Sequence, residues 1–235
     1  MNILITRPLI DAEDLMGKIF SLGHKIIHIP TLKISSAKAE TIDETQYTAF
    51  IFTSANAIRN LKVIKQDKSK LCFCVGAITE KIARMSGYNN TISAGGTVNA
   101  LKNLIISSSQ INEESKIAYF CGDNVSYDLD LELKREGIKT KKIINYTSEK
   151  ITDLSEENKK IIESHPPDII LVYSIRSAQS FIEIVKNYSL YPIMTESVVM
   201  CISKKVANIF SDKGWKKIKI FNPGDELLQL KEINL

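Results

Sequence analysis

Short apolar runs rich in isoleucine and valine alternate along the chain with amphipathic stretches, and this alternation is written twice. In residues 1 to about 112, strands are expected at "NILIT", "KIIHIP", "AFIFT", "LCFCVG" and "NTISA". Between and after them, helices are expected over Asp11 to Leu22, Asn56 to Ile64, Thr79 to Met85 and "TVNALKNLI". Residues 113 to 235 follow the same order, with strands "KIAYFC", "KKIINY", "DIILVYS", "VVMCIS" and "KIKIF". Their helices run over Tyr127–Glu136, Ser177–Lys186, Lys204–Phe210 and "DELLQL". Gly23, Gly87, Gly137 and Gly214 each close a helix, at the position where a left-handed backbone is wanted. Ile3 pairs with Ile117 and Gly23 with Gly137 at a shift of 114, and Phe52 pairs with Tyr173 at 121. Gly76 then pairs with Ser203, Gly87 with Gly214 and Leu101 with Leu228 at 127. A shift constant within blocks and growing between them is what duplication followed by loop insertion leaves. The unit is too long for a solenoid repeat.

Strands alternating with helices predict parallel α/β layers, and the near-continuous apolar strands predict sheets covered on both faces. The expectation is therefore α/β: two similar parallel-sheet lobes with a cleft between them. A chain of 235 residues has room for two such cores. Two stretches, 33–44 and 147–160, look like connectors.

Apolar residues at 44% and charged residues at 25% are globular values, and exclude a disordered chain. The net charge of +4 suits an anionic small ligand. The lysines are dispersed, without a basic stripe interleaved with aromatics, so no nucleic-acid partner is expected. No apolar run is long enough to span a bilayer and no leader precedes "MNILITRP", so no membrane partner is expected. Cys72, Cys74, Cys121 and Cys201 have no framework spacing and are expected as free, buried thiols of a cytoplasmic protein.

In covered parallel sheets, ligands bind beyond the carboxyl ends of the strands. The turns there are "TRP" (6–8), "FTSANA" (52–57), "VGAIT" (75–79), "FCGDN" (120–124), "YSIRSA" (173–178) and "CISKK" (201–205). Nearly every one places Ser, Thr or Gly where a helix begins. Taken singly these are ordinary N-caps. Six converging turns favour a binding region for an anion. The nearby cations are Arg7, Arg176, Lys204 and Lys205. There is no GxGxxG, Walker loop or nucleophile elbow, which counts against a nucleotide-dependent transferase. His24 and His28 fall on an expected strand, and no metal or other cofactor is expected. A non-catalytic two-lobed binder or sensor of small anions would explain these features as well as an enzyme would.

These turns in this order resemble the uroporphyrinogen-III synthase family over essentially the whole chain. "FTSANA", "VGAIT", "FCGDN", the "NY" ending at Tyr146, "YSIRSAQSF" and the tail from "CISKKVANIF" to "DELLQL" carry the resemblance. It implies a lyase of haem biosynthesis that cyclises hydroxymethylbilane to uroporphyrinogen III, with loss of water and inversion of the terminal pyrrole, and without a cofactor. It also implies a monomer whose chain crosses from one lobe to the other and back through a two-stranded linker. Lobe one would then be 1–34 and 151–235, and lobe two 35–150. Tyr146 matches the family tyrosine proposed as general acid. Thr53, Ser54 and Thr79 match substrate-facing positions of lobe two, and Ser174 and Ser177 those of lobe one. Gly76, Gly122, Ser203 and the four cations complete the binding set. Where relatives often carry Gly-Pro-Thr-Thr, this chain has Ser203-Lys204-Lys205-Val206, so a threonine contact is missing and two lysines stand in its place.

Overall fold

The computed structural model describes residues 1–38 and 41–233. Part of the 33–44 connector, residues 39 and 40, lies outside the described residues. The strands are β1 (Asn2–Ile5), β2 (Lys25–His28), β3 (Leu32–Ser36), β4 (Ile42–Asp43), β5 (Ala49–Phe52), β6 (Val63–Lys65), β7 (Leu71–Cys74), β8 (Thr91–Ser93), β9 (Lys116–Gly122), β10 (Lys139–Lys150), β11 (Ile169–Val172), β12 (Val198–Cys201) and β13 (Ile218–Ile220). The helices are α1 (Leu9–Ser21), α2 (Ala55–Arg59), α3 (Ala77–Met85), α4 (Val98–Ile106), α5 (Leu129–Arg135), α6 (Glu156–Ser164), α7 (Ile175–Asn187), α8 (Tyr191–Met194), α9 (Lys204–Ser211) and α10 (Glu226–Lys231). The chain divides into two compact units, Met1–Lys33 with Glu149–Leu235 and Ile34–Ser148. It passes from one to the other inside β3 and returns inside β10.

Unit 1 holds a five-stranded sheet ordered β13-β12-β11-β1-β2, with every neighbouring pair parallel. Successive residues of a strand face opposite sides, so the unbroken apolar runs fill two cores. Leu4, Ile170, Val172, Val199 and Cys201 pack under α6, α7 and α9 with Trp215. Ile3, Ile5, Ile169, Leu171, Val198 and Met200 pack on the other face with α1 and α10.

Unit 2 repeats the plan. Its main sheet is ordered β3-β10-β9-β5-β7-β8, parallel from β10 to β8. Phe50, Phe52, Cys72, Cys74, Ala118 and Phe120 meet α2 and α3 on one face. Ala49, Ile51, Leu71, Phe73, Ile117 and Tyr119 meet α4 and α5 on the other. Phe50 is fully buried and lies edge-on to Tyr88 and Phe120, with ring centroids 5.9 and 5.6 Å away. Phe50→Ala should therefore cost about 3–5 kcal/mol of unfolding free energy. Urea denaturation with an unchanged slope would measure it, and a loss below about 1 kcal/mol would refute this packing role.

The two sheets do not coincide with the two halves of the sequence repeat. Unit 1 takes β1 and β2 from the first copy and β11 to β13 from the second. Unit 2 takes β5, β7 and β8 from the first copy and β9 and β10 from the second. The glycines expected to close helices all have positive φ, at Gly23 (82°), Gly87 (93°), Gly137 (79°) and Gly214 (91°).

Three expectations are corrected. The helix expected over Asn56 to Ile64 stops at Arg59, and its last stretch becomes β6. Asn60 ends it by donating its side-chain amide to the Asn56 carbonyl at 2.9 Å. The connector expected at 147–160 does hold the chain's return between the units, inside β10, but its second part is a helix that was not expected: α6 starts at Glu156 behind a Ser155 cap that accepts from the Asn158 N–H at 3.2 Å. His24 precedes β2 rather than lying on it. All four cysteines are free and buried, as expected. Burial pushes the Cys121 thiol up to about 11 and those of Cys74 and Cys201 to about 12, so they stay protonated and unreactive.

Candidate active site

The sheet order fixes where each unit can bind a ligand. In unit 1 the chain moves outward from β1 to β2, then returns to the other side of β1 with β11 and continues outward to β13. The direction reverses between β1 and β11, and ligands of doubly wound sheets bind beyond the carboxyl ends of strands at such a point. Unit 2 has its equivalent between β9 and β5.

In unit 2 the turn after β9 and the end of β10 meet directly. β10 is in register with β9 up to Ile144 and Cys121, then shifts so that Tyr146 sits opposite Gly122. A Cβ on Gly122 would lie 2.7 Å from the Cε2 and Cζ atoms of Tyr146 and 3.0 Å from its hydroxyl oxygen. Only glycine leaves room for that ring. The turn is pinned on both sides. The Asp123 N–H donates to the Tyr146 carbonyl at 3.1 Å, and the Asp123 carboxylate accepts from the Ser148 N–H at 3.1 Å. Tyr146 is partly buried and packs against the core cluster that contains Phe50, Phe52 and Phe120.

Thr53 follows β5, and its hydroxyl lies 3.3 Å from the Tyr119 hydroxyl. Burial raises the Tyr119 pKa, so that phenol stays neutral and able to donate. Ser54 caps α2, accepting from the Asn56 N–H at 3.1 Å. Gly76 opens α3 without a side-chain cap, and a Cβ there would come within 3.3 Å of the Gly96 Cα. Thr79 lies in the first turn of the same helix and is only 6% exposed.

In unit 1, Ser174 caps α7 and accepts from the Ser177 N–H at 3.0 Å. Ser177, expected among the substrate contacts, is 4% exposed. Its hydroxyl donates to Thr6 at 3.0 Å and lies 2.7 Å from that of Thr31. Thr6 in turn donates to the Leu171 carbonyl at 2.8 Å. Three hydroxyls thus tie the end of β1, the residue before β3 and α7 together, and Ser177 belongs to this internal network. The Arg7 guanidinium stacks over the Tyr173 ring at 4.4 Å, and the Arg7 carbonyl is 2.9 Å from His28 Nε2. Burial, followed by the charge of the Glu226 carboxylate, raises the Tyr173 pKa, against the opposing pull of Arg7. Arg176 lies in the first turn of α7. Ser203 caps α9 through the Val206 N–H at 3.4 Å, and Lys204 and Lys205 in its first turn are exposed.

The unit 2 residues thus gather at the carboxyl edge of one sheet and the unit 1 residues at that of the other. Sequence reasoning passed over Tyr119, Asp123, Tyr173 and Thr6. Asp123 stood inside the "FCGDN" turn and could have been weighed there. Thr6 opened the "TRP" turn and Tyr173 the "YSIRSA" turn in the same way, while Tyr119 gave no local signal, since its partner Thr53 comes from a distant strand end.

Comparison with known proteins bears on what this arrangement does. The family model described as uroporphyrinogen-III synthase HemD matches residues 13–220. The chain belongs to the uroporphyrinogen-III synthase family. It is similar in fold to the uroporphyrinogen-III synthetase of Helicobacter pylori 26695, with a TM-score of 0.63 at 17% identity over 99% of both chains. It is also similar to a mutant uroporphyrinogen III synthase from the extremely thermophilic bacterium Thermus thermophilus, with a TM-score of 0.55 at 12% identity over 99% of this chain and 97% of the other. No curated protein sequence matches. Membership of this family makes the chain a cyclising lyase of haem biosynthesis acting on a tetrapyrrole precursor, and does not favour a non-catalytic anion sensor. Among the described residues, no helix is long and apolar enough to cross a membrane.

Proposed function

We propose that the turns at the carboxyl ends of the two sheets carry the synthase chemistry, with Tyr146 as general acid. The observation that carries this reading is the seat of Tyr146 against Gly122, where the turn after β9 holds a phenol at the ligand-binding end of a doubly wound sheet. Hydroxymethylbilane loses its hydroxyl as water, giving an electrophilic methylene on the first pyrrole. The last pyrrole attacks through its substituted carbon, and the spiro intermediate reopens and recloses as the type III isomer. A phenol with a reference pKa of about 10 is protonated at neutral pH and can supply the proton that departs with the hydroxyl.

The substrate also closes unaided, to the type I isomer, so the protein's larger task is to impose a conformation. Holding the reacting carbons in the disfavoured orientation can supply up to roughly 7–11 kcal/mol. In unit 2, Thr53, Ser54, Thr79 and the amides at Gly76 and Gly122 would grip substrate carboxylates. In unit 1, Arg7, Ser174, Arg176, Ser203, Lys204 and Lys205 would do the same, while Ser177 holds the β1–α7 junction from inside. We further propose that the protein acts in the cytoplasm as a monomer, without membrane or nucleic-acid partners. Four free thiols suit a reducing compartment.

Lys204 and Lys205 directly follow the Ser203 cap, where the helix dipole and two ammonium groups favour the same anion. The double variant Lys204→Ala/Lys205→Ala should raise KM while changing kcat little. Steady-state kinetics read this directly, and an unchanged KM would remove both lysines from the binding set.

A further inference from the structure

The amino end of the unit 2 sheet, where its strands begin, carries a cavity of about 510 Å³. Its charged lining is Lys116, Lys134, Lys139 and Lys141 against the single carboxylate Glu114. Their placement is not that of a random solvated surface. Lys116 opens β9, Lys139 opens β10, and the two are register partners on adjacent strands. Like charges on directly opposed strand positions repel. Lys141 follows two residues later on the same exposed face of β10, which adds a third ammonium to the row. Lys134 closes the cavity from α5, with Asp130 3.6 Å away. The Lys116 ammonium lies 5.1 Å from the centre of the Tyr47 ring. A concave wall with this excess of one sign concentrates positive potential, and the volume suits a small ligand.

The cavity is separate from the proposed synthase residues of unit 2. β9 runs seven residues from Lys116 to Gly122, so the two ends of that strand are about 20 Å apart. We infer that the cavity is a binding site for a small multivalent anion bearing clustered phosphate or carboxylate oxygens. Such a ligand would bridge the opposed lysines and relieve their repulsion.

Isothermal titration calorimetry on the full chain tests this, with inorganic pyrophosphate as one probe and citrate as the other, at fixed ionic strength. Saturable binding of at least one probe is expected, with a component that is weakened tenfold or more in Lys116→Ala/Lys139→Ala. The tighter probe identifies the oxygen class. All the substituted side chains are exposed, so the variants should fold, and their circular dichroism checks it. Lys204→Ala/Lys205→Ala, which removes charge from the proposed substrate turns only, is expected to keep the binding component that Lys116→Ala/Lys139→Ala loses. No saturable binding of either probe would overturn the inference. Equal binding by the Lys116/Lys139 variant, or loss only in the Lys204/Lys205 variant, would also overturn it.

Discussion

Tyr146→Phe is expected to lower the kcat of cyclisation by roughly 10²–10⁴-fold, the usual contribution of a positioned general acid. The substitution removes one oxygen and keeps the ring that packs against the core cluster containing Phe50, Phe52 and Phe120. The backbone contact from the Asp123 N–H to the Tyr146 carbonyl is untouched by it. KM should therefore hold while turnover falls, the pattern of an interaction made in the transition state alone. Full activity in the phenylalanine variant would end the assignment of Tyr146 as acid. A rise in KM at constant kcat would instead make its hydroxyl a binding group.

Gly122→Ala is expected to be nearly as damaging without touching a reactive group. The added Cβ would stand 2.7 Å from two Tyr146 ring carbons, closer than such atoms approach. The nearest atoms that can yield are those of the tyrosine tip, so the ring should swing and carry its hydroxyl with it. Overpacking of this kind costs about 1–3 kcal/mol of stability. A displacement near 1 Å can cost about 10²-fold in rate. Because Gly122 acts here through Tyr146, the double variant with Tyr146→Phe should be scarcely slower than Tyr146→Phe alone. Multiplicative losses in the double variant would mean that Gly122 has a separate role, such as a backbone contact to substrate.

Much of the fold was legible because buried parallel strands write themselves as continuous apolar runs. "DIILVYS" and "VVMCIS" give β11 and β12, whose residues alternate between the two cores of unit 1. The four helix-closing glycines were equally plain, since a positive φ leaves few other choices. Partnership was the harder matter. Periodicity shows that β1 is a strand but not that it lies beside β11, more than 160 residues later. The repeat pairs β1 with β9, while the sheets separate them. α6 was missed because Ile161 and Ile162 are almost its only apolar residues, although Ser155 and the two glutamates after it form a sound helix start. β6 was taken into α2 because nothing local reveals its pairing with β4.

The candidate residues were legible as a kind of turn rather than as a geometry. Ser54, Ser174 and Ser203 were recognisable as helix starts, and each does cap its helix. That Ser177 would turn inward to Thr6 and Thr31 followed from a contact across 146 and more residues, which spacing cannot report. The register shift that brings Tyr146 over Gly122 was equally silent, because a bulge changes pairing without changing composition.

Fresh hydroxymethylbilane, incubated with the protein and with its Tyr146→Phe variant and resolved by isomer over time, puts the whole account at risk in one measurement. Type III product is expected from the parent chain far ahead of spontaneous closure. The same isomer, formed much more slowly, is expected from the variant. Type I product alone from the parent, or type III from the variant at the parent's rate, would contradict it.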